Sequence, residues 1–363
     1  MFTSHLKRRA ALAIEWLSDR YPIAQLIEWG RHKEVPMGKT AIWYYFGGVS
    51  LFLFIVQLST GILLMFYYKA SADAAFESVQ FITSKVPFGW LIRSIHSWSA
   101  NLMVLAVIIH MFSVFFMGAY RKPRELSWVT GLALLGIVMT FGFSGYLLPW
   151  NELSFFATKV GTDMIGVVPY IGKTLMHVLR GGEEVTGSTL TRFFALHVAL
   201  LPAIFTSVLG IHLLFVQIQG MHEPEDWKRH PENRKSIPFF PHFFLRDVLL
   251  WFIILDILAI LAVFFPWELG RKADPFASAP AGIKPEWYFL FMFQTLKFLP
   301  AKVGPIDGEL VGHMIFGGIG VFWLLIPWID CGKKKSTTKI LRGIGMALLL
   351  FFIGMTIAGH VLA

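Results

Sequence analysis

WLIRSIHSWSANLMVLAVIIH, residues Trp90–His110, decides the fold of this chain. It is a long apolar run that carries two histidines, His96 and His110, 14 residues apart. A second run, HVALLPAIFTSVLGIH at 197–212, carries His197 and His212, 15 residues apart. Ionisable side chains are expensive inside a bilayer, so histidines in such runs mark function. At about 100° per residue, 14 residues return a side chain to within about 40° of its starting direction, and 15 residues to within about 60°. Each helix therefore shows two imidazoles on one face, roughly 21 Å apart along its axis. Two such helices face to face can clamp two haems, one above the other, across most of a hydrocarbon core of roughly 30 Å.

The composition supports a membrane setting. Of 363 residues, 55% are hydrophobic, 16% aromatic and only 15% charged, with a mean hydropathy of +0.60. Seven runs are long enough to span: Tyr45–Tyr67, Ser94–Met117, Ser127–Leu148, Phe193–Gln217, Val248–Phe265, Leu310–Ile329 and Gly343–Val361. They are continuously apolar without strict alternation, which selects helices over a barrel. The expected fold is an all-α integral membrane protein of seven transmembrane helices, a four-helix haem-binding bundle followed by a three-helix unit.

A net charge of +9 would suggest nucleic acid in a soluble protein, but here its distribution argues against that. Twenty of the 32 Lys and Arg fall on the side of the N-terminus: seven before the first span, three in 121–124, five in 228–246 and five in 333–342. The positive-inside rule then places the N-terminus inside and the C-terminus outside. Cys331 is the only cysteine, so this chain alone builds no disulfide, Cys-ligated cluster or c-type haem attachment. No cleavable signal peptide is evident, and Leu6–Trp29 reads as a surface helix broken by Pro22.

The chain divides into an inner amphipathic segment (1–40), a four-helix di-haem domain (41–220), an inner Pro-rich linker (221–245) and a three-helix domain (246–363). The loop 149–191 is too long for a simple turn, and Gly161, Gly166, Pro169 and Gly172 suggest short helices over the bundle. Glycine repeats the histidine spacing. Gly47 and Gly61 are 14 apart, as are Gly131 and Gly145. Only glycine lets a backbone approach a flat macrocycle without a Cβ. Gly47 and Gly131 are expected beside the inner haem (His110, His212), and Gly61 and Gly145 beside the outer one (His96, His197).

At this point the chain resembles cytochrome b of the quinol:cytochrome c (or plastocyanin) oxidoreductases, over nearly its whole length. The match is carried by Trp90–His110, by GYLLPW at 145–150 with TLTRFFALH at 189–197, and by IKPEWYFLF at 283–291. The 15-residue second pair, YRKPRELSWVTG at 120–131 and a chain ending after seven spans point to the b6f branch, with b6 and subunit IV fused. Two departures stand out. Tyr45 replaces the cysteine that anchors an extra c-type haem in b6, so no covalent haem is expected. Gln217 replaces the b6 arginine five residues after the last haem histidine. The segment IKPEWYFLF reads closer to the bc1 branch.

The resemblance implies two haem b groups, ligated by His96 with His197 and by His110 with His212. Arg93 and Arg192 are expected at the outer haem's propionates. Glu286, Tyr288 and Tyr146 are the expected catalytic groups of an outer quinol site, with Pro285, Trp287, Phe291 and Phe155 shaping its pocket. The implied function is quinol oxidation coupled to proton translocation in a Q-cycle, with quinone as second substrate. The implied partners are a Rieske iron–sulfur protein, a c-type cytochrome subunit, membrane lipids, the quinone pool and a second copy of the chain, but no nucleic acid. The expected location is a bacterial cytoplasmic membrane. Two rivals are a b-haem conduit or anchor of another respiratory dehydrogenase, which needs no Pro285–Tyr288 pocket, and a haem-free seven-helix transporter. Asp256 inside span five is expected to be protonated and bonded to a neighbour, or to serve a proton path.

Overall fold

The computed structural model describes residues 2–22, 33–38, 40–224, 227, 230–332 and 334–362. Seven helices among these are long and apolar enough to cross a membrane: Ala41–Met65, Gly89–Met117, Glu125–Leu147, Gly187–Gln219, Phe239–Phe264, Gly308–Ile329 and Lys335–Val361. The amphipathic N-terminal helix α1 (Phe2–Ser18) ends before Pro22, and the remainder of the expected surface helix, 23–32, lies outside the described residues.

The first unit comprises α2 (Tyr45–Met65), the short α3 (Ala75–Ser84), α4 (Gly89–Met117), α5 (Glu125–Leu147), α6 (Glu152–Gly166), α7 (Gly172–Arg180), α8 (Gly187–Ala195) and α9 (Leu201–Gln219). Helix α4 begins where the chain folds back on α3. Gly89 lies so close to the Ile82 carbonyl that a Cβ would collide with it, and Phe88 before it takes a left-handed φ of 59°. Helix α4 packs along α2, and α9 along α5. The core between them includes Leu53, Met103, Val104, Val138 and Phe205. The loop expected to hold short helices contains α6 and α7. Asn151 caps α6 by accepting from Ser154 N–H at 2.8 Å, and Thr186 with Thr189 forms a capping box on α8.

The second unit holds α10 (Phe244–Phe264), α11 (Trp287–Phe298), α12 (Gly308–Ile329) and α13 (Lys335–Val361). Helix α10 packs on α4 and α2, while α13 packs on α11. Within the segment 221–245, β2 (Ser236–Pro238) pairs antiparallel with β1 (Glu34–Pro36) from the N-terminal segment. Two contacts tie the units together at the end of the bundle expected to be the inner one. Trp128 Nε1 donates to the Trp323 carbonyl at 2.9 Å within an aromatic cluster that includes Phe115 and Tyr120. Asp330, 1% exposed, accepts from Tyr120 Oη at 2.6 Å, from Arg121 at 2.8 Å and from Thr338 at 3.1 Å. At the outer end, the loop after α10 lies over the bundle. Asn151 donates to the Leu269 carbonyl at 2.8 Å, and Glu152 N–H to Arg271 at 2.9 Å.

Candidate functional site

All four histidines point into the four-helix bundle, and each meets one glycine. A Cβ on Gly47 would stand 3.3 Å from His110 Cε1, and on Gly61 3.3 Å from His96 Cε1. On Gly131 it would stand 3.4 Å from His212 Cε1, and on Gly145 only 2.6 Å from His197 Cε1. Helices α2 and α5 thus each press two glycines onto the outer edges of imidazoles carried by α4 and α9.

The residue before the glycine fixes the tautomer. Thr60 Oγ1 lies 2.9 Å from His96 Nδ1, Thr130 Oγ1 2.9 Å from His212 Nδ1, and Ser144 Oγ 3.2 Å from His197 Nδ1. Each hydroxyl already donates its own proton to a carbonyl of the preceding turn: Thr60 to Val56 at 2.6 Å, Thr130 to Leu126 at 2.9 Å, Ser144 to Phe141 at 3.3 Å. It can therefore only accept from the imidazole. The proton sits on Nδ1, and the Nε2 lone pair is left for a metal, the arrangement in which a second group orients a histidine ligand. His110 Nδ1 is the exception. It is buried with no hydrogen-bond partner.

The second pair reaches its register by a local change of helix type. Residues Leu196–Leu200 form a π-turn, in which Leu201 N–H donates to the Leu196 carbonyl. A π-turn takes up one additional residue. The 15 residues from His197 to His212 thus do the work of 14, a point that simple α-helical counting misses. The His96 and His197 ring centres are 6.4 Å apart. Two metal–nitrogen bonds of roughly 2 Å each, plus two half-rings, fill such a gap. Among the described residues no three His, Cys, Asp or Glu side chains converge on a metal site. The ligand pair, the protonated Nδ1 atoms and the glycine-lined slot fit a six-coordinate haem.

One continuous cavity joins the outer pair to the Pro285–Tyr288 segment. His96, His197, Gly61, Gly145, Arg93, Tyr146, Glu286 and Tyr288 all line it. Glu286 precedes the first turn of α11, and burial pushes its carboxyl above the usual carboxylate range. Burial likewise raises the Tyr288 hydroxyl, with the Glu286 charge adding to the effect. Tyr288 Oη packs so tightly on Gly142 that a Cβ there would collide with it. Gly142 was not singled out by the sequence reading, because its role depends on a residue about 146 positions away. Arg93 is buried and donates to the carbonyls of Trp267 at 2.6 Å and Glu268 at 3.1 Å.

Other expected residues lie elsewhere. Arg192 is exposed, donates to the Val178 carbonyl over α7, and does not line the cavity. Phe291 packs on Phe316 and Phe352, facing α12 and α13. Phe155 is buried against Trp150 and Phe156. Trp287 donates to Asn101 at 2.8 Å, behind the cavity wall, and Pro285 is not among the cavity's lining residues. Asp256 has neither a hydrogen-bonded neighbour nor a buried position. It is exposed on α10, and the expected internal partner does not exist among the described residues.

At the inner end two groups emerge that the sequence reading missed. Asp247, in the first turn of α10, abuts Gly48, and its Oδ1 is buried without a partner. Lys33 Nζ reaches both the backbone and side-chain oxygens of Gln217. A cation therefore stands where the resemblance leads one to expect arginine, supplied from another segment.

The fold and site define a seven-span membrane protein built around two histidine pairs. Comparisons with known proteins agree. The family described as "Cytochrome b/b6/petB" matches residues 32–220, and "Cytochrome b(C-terminal)/b6/petD" matches residues 272–363. A "Cytochrome bc complex cytochrome b subunit" of Chlorobaculum thiosulfatiphilum is 50% identical over 91% of this chain and 77% of its own length. Cytochrome b6 of Heliobacterium modesticaldum is 43% identical over 58% of this chain and 100% of its own. A solved structure, "Hyperthermophilic respiratory Complex III", superposes with a TM-score of 0.76 at 27% identity, covering 96% of this chain and 99% of that one.

The chain belongs to the cytochrome b/b6 family. It is an integral membrane protein of a family associated with electron transport and b-type haem.

Proposed function

We propose that the chain is the cytochrome b subunit of a bc-type quinol oxidoreductase complex, with one haem b held by His96 and His197 and another by His110 and His212. The observation that carries this reading is the shared cavity. The outer histidine pair and the Glu286–Tyr288–Tyr146 group line one space. The names of the Chlorobaculum relative and the complex III neighbour support it.

Two bis-histidine haems, when bound, supply one-electron transfer between the two faces of the membrane without an open position for oxygen. The chain's own residues do the rest. Thr60 and Ser144 hold the outer imidazoles in the ligating tautomer. Arg93 places a buried cation beside the outer pair, where propionates need one. Quinol enters the outer cavity. Glu286, its carboxyl raised by burial, accepts a proton from a quinol hydroxyl. Tyr288 and Tyr146 line the same space as hydrogen-bonding hydroxyls. Released protons leave outward past the loop after α10. At the inner end, Asp247 and Lys33 are the groups available to a quinone that takes protons from inside. A Q-cycle of this kind needs a Rieske iron–sulfur partner and a c-type cytochrome, and the family suggests a homodimer. The membrane is proposed to be bacterial and cytoplasmic, with the N-terminus inside and the C-terminus outside.

The test is Glu286→Gln in the intact complex. Quinol oxidation slows at least tenfold while both haem spectra persist. Unchanged turnover removes Glu286 from proton transfer.

A further inference from the structure

Helix α2 repeats itself every 14 residues against α4. Gly47 meets His110, and Gly61 meets His96, each with a Cβ-to-Cε1 approach of 3.3 Å. One position breaks the repeat. Thr60 precedes Gly61, but Phe46 precedes Gly47. The consequence is visible at the ligands. His96, His197 and His212 each have a hydroxyl on Nδ1, at 2.9, 3.2 and 2.9 Å. His110 Nδ1 is buried and has none. Ser50 donates to the Phe46 carbonyl at 2.8 Å and Ser113 to the His110 carbonyl at 2.7 Å, and neither hydroxyl comes within hydrogen-bond reach of His110 Nδ1. The Phe46 ring stacks on Trp43 with centroids 5.7 Å apart.

We propose that Phe46, by withholding an acceptor from His110 Nδ1–H, raises the reduction potential of the haem that His110 and His212 hold. The inference rests on the reading that each histidine pair holds one haem. A hydrogen bond accepted from Nδ1–H pushes electron density onto the imidazole and makes Nε2 a stronger donor. A stronger donor favours ferric over ferrous iron, and second-shell hydrogen bonding is a recognised lever on haem potential. The outer pair has both imidazoles so engaged. The inner pair has one. Phe46 is the source of that difference at His110.

The test compares two side chains of equal size. Phe46→Thr places a hydroxyl in the register that Thr60 occupies one repeat later, and Phe46→Val removes the ring without adding one. Both variants are made in the intact complex, and both haem potentials are titrated optically, with electron paramagnetic resonance of the ferric state as a second readout. The inner potential in Phe46→Thr falls below that in Phe46→Val, by about 59 mV if the ferrous-to-ferric ratio changes tenfold, while the outer potential is the same in both. Equal inner potentials in Thr and Val overturn the proposal. If Phe46→Thr loses the inner haem, Thr130→Val decides instead. It removes the hydroxyl that accepts from His212 Nδ1 and raises the inner potential; no change there overturns the proposal. A wild-type complex with fewer than two haems per chain refutes the underlying haem reading, and that result is distinct from both.

Discussion

Gly145→Ala offers the sharpest test of the haem slot. The added methyl carbon would lie 2.6 Å from His197 Cε1, 3.1 Å from Nδ1 and 3.3 Å from Nε2. Carbon atoms settle at about 3.5–4.0 Å, so about 1 Å must be opened. The imidazole ring is rigid, and His197 sits in a π-turn whose geometry sets its register, so the ring has to swing away from the ligating direction. Overpacking of this kind costs about 1–3 kcal/mol, or roughly 5- to 150-fold in an equilibrium. Gly131→Ala is the matched control, because its Cβ would meet His212 at 3.4 Å, an ordinary contact. The assay is haem content per chain of the purified complex, by alkaline pyridine spectrum, with a redox titration. Gly145→Ala loses the outer haem or binds it weakly, and Gly131→Ala keeps the inner one. Full retention of both haems at wild-type potentials in Gly145→Ala would refute the claim that this glycine makes room for the ligand.

Other outcomes follow from the same geometry. Asp330→Ala leaves the partly buried Arg121 without its carboxylate and costs up to about 3 kcal/mol, the low end of the range for breaking a buried pair, read as a lower midpoint of thermal unfolding monitored at the second unit's tryptophans. The hydrogen bonds from Tyr120 and Arg121 hold the Asp330 carboxyl below its ordinary value of 3.8 despite burial. The stability it contributes is therefore complete above about pH 4 and is lost as pH falls through the lower folded value; acid titration of wild type against Asp330→Asn shows this difference, and parallel curves would contradict it. Glu286 works as a proton acceptor only when ionised, and burial raises its carboxyl. Quinol oxidation should thus rise with pH through that raised value, and the limb should vanish in Glu286→Gln. Asp247→Asn should slow quinone reduction at the inner end, seen as faster accumulation of reduced inner haem after a pulse of quinol; unchanged kinetics would confine Asp247 to a packing role.

The spans were legible because hydropathy and length decide them, and the histidine and glycine spacings followed from helical period alone. The same reasoning could not see the π-turn at Leu196–Leu200, because counting assumes one helix type throughout. It gave both arginines one role, yet Arg93 faces the cavity and Arg192 turns over α7. Position along a helix sets the level of a side chain, while its direction depends on what packs beside it. Thr60, Thr130 and Ser144 were findable: each immediately precedes a glycine already singled out, and two of them share its 14-residue spacing. Asp247 was missed because it lies before the expected start of span five, whereas the helix begins earlier and carries it into the protein. Asp256 misled in the opposite way, since depth in a span does not say whether a residue faces protein or the surface.

The most direct measurement is quinol-driven haem reduction in the isolated native complex, combined with haem count and a reduced-minus-oxidised spectrum. The account predicts two b haems per chain that, with the inner site blocked, quinol reduces only while an oxidised Rieske partner is present. One haem or none per chain, or two haems that quinol reduces without that partner under the same block, would contradict it.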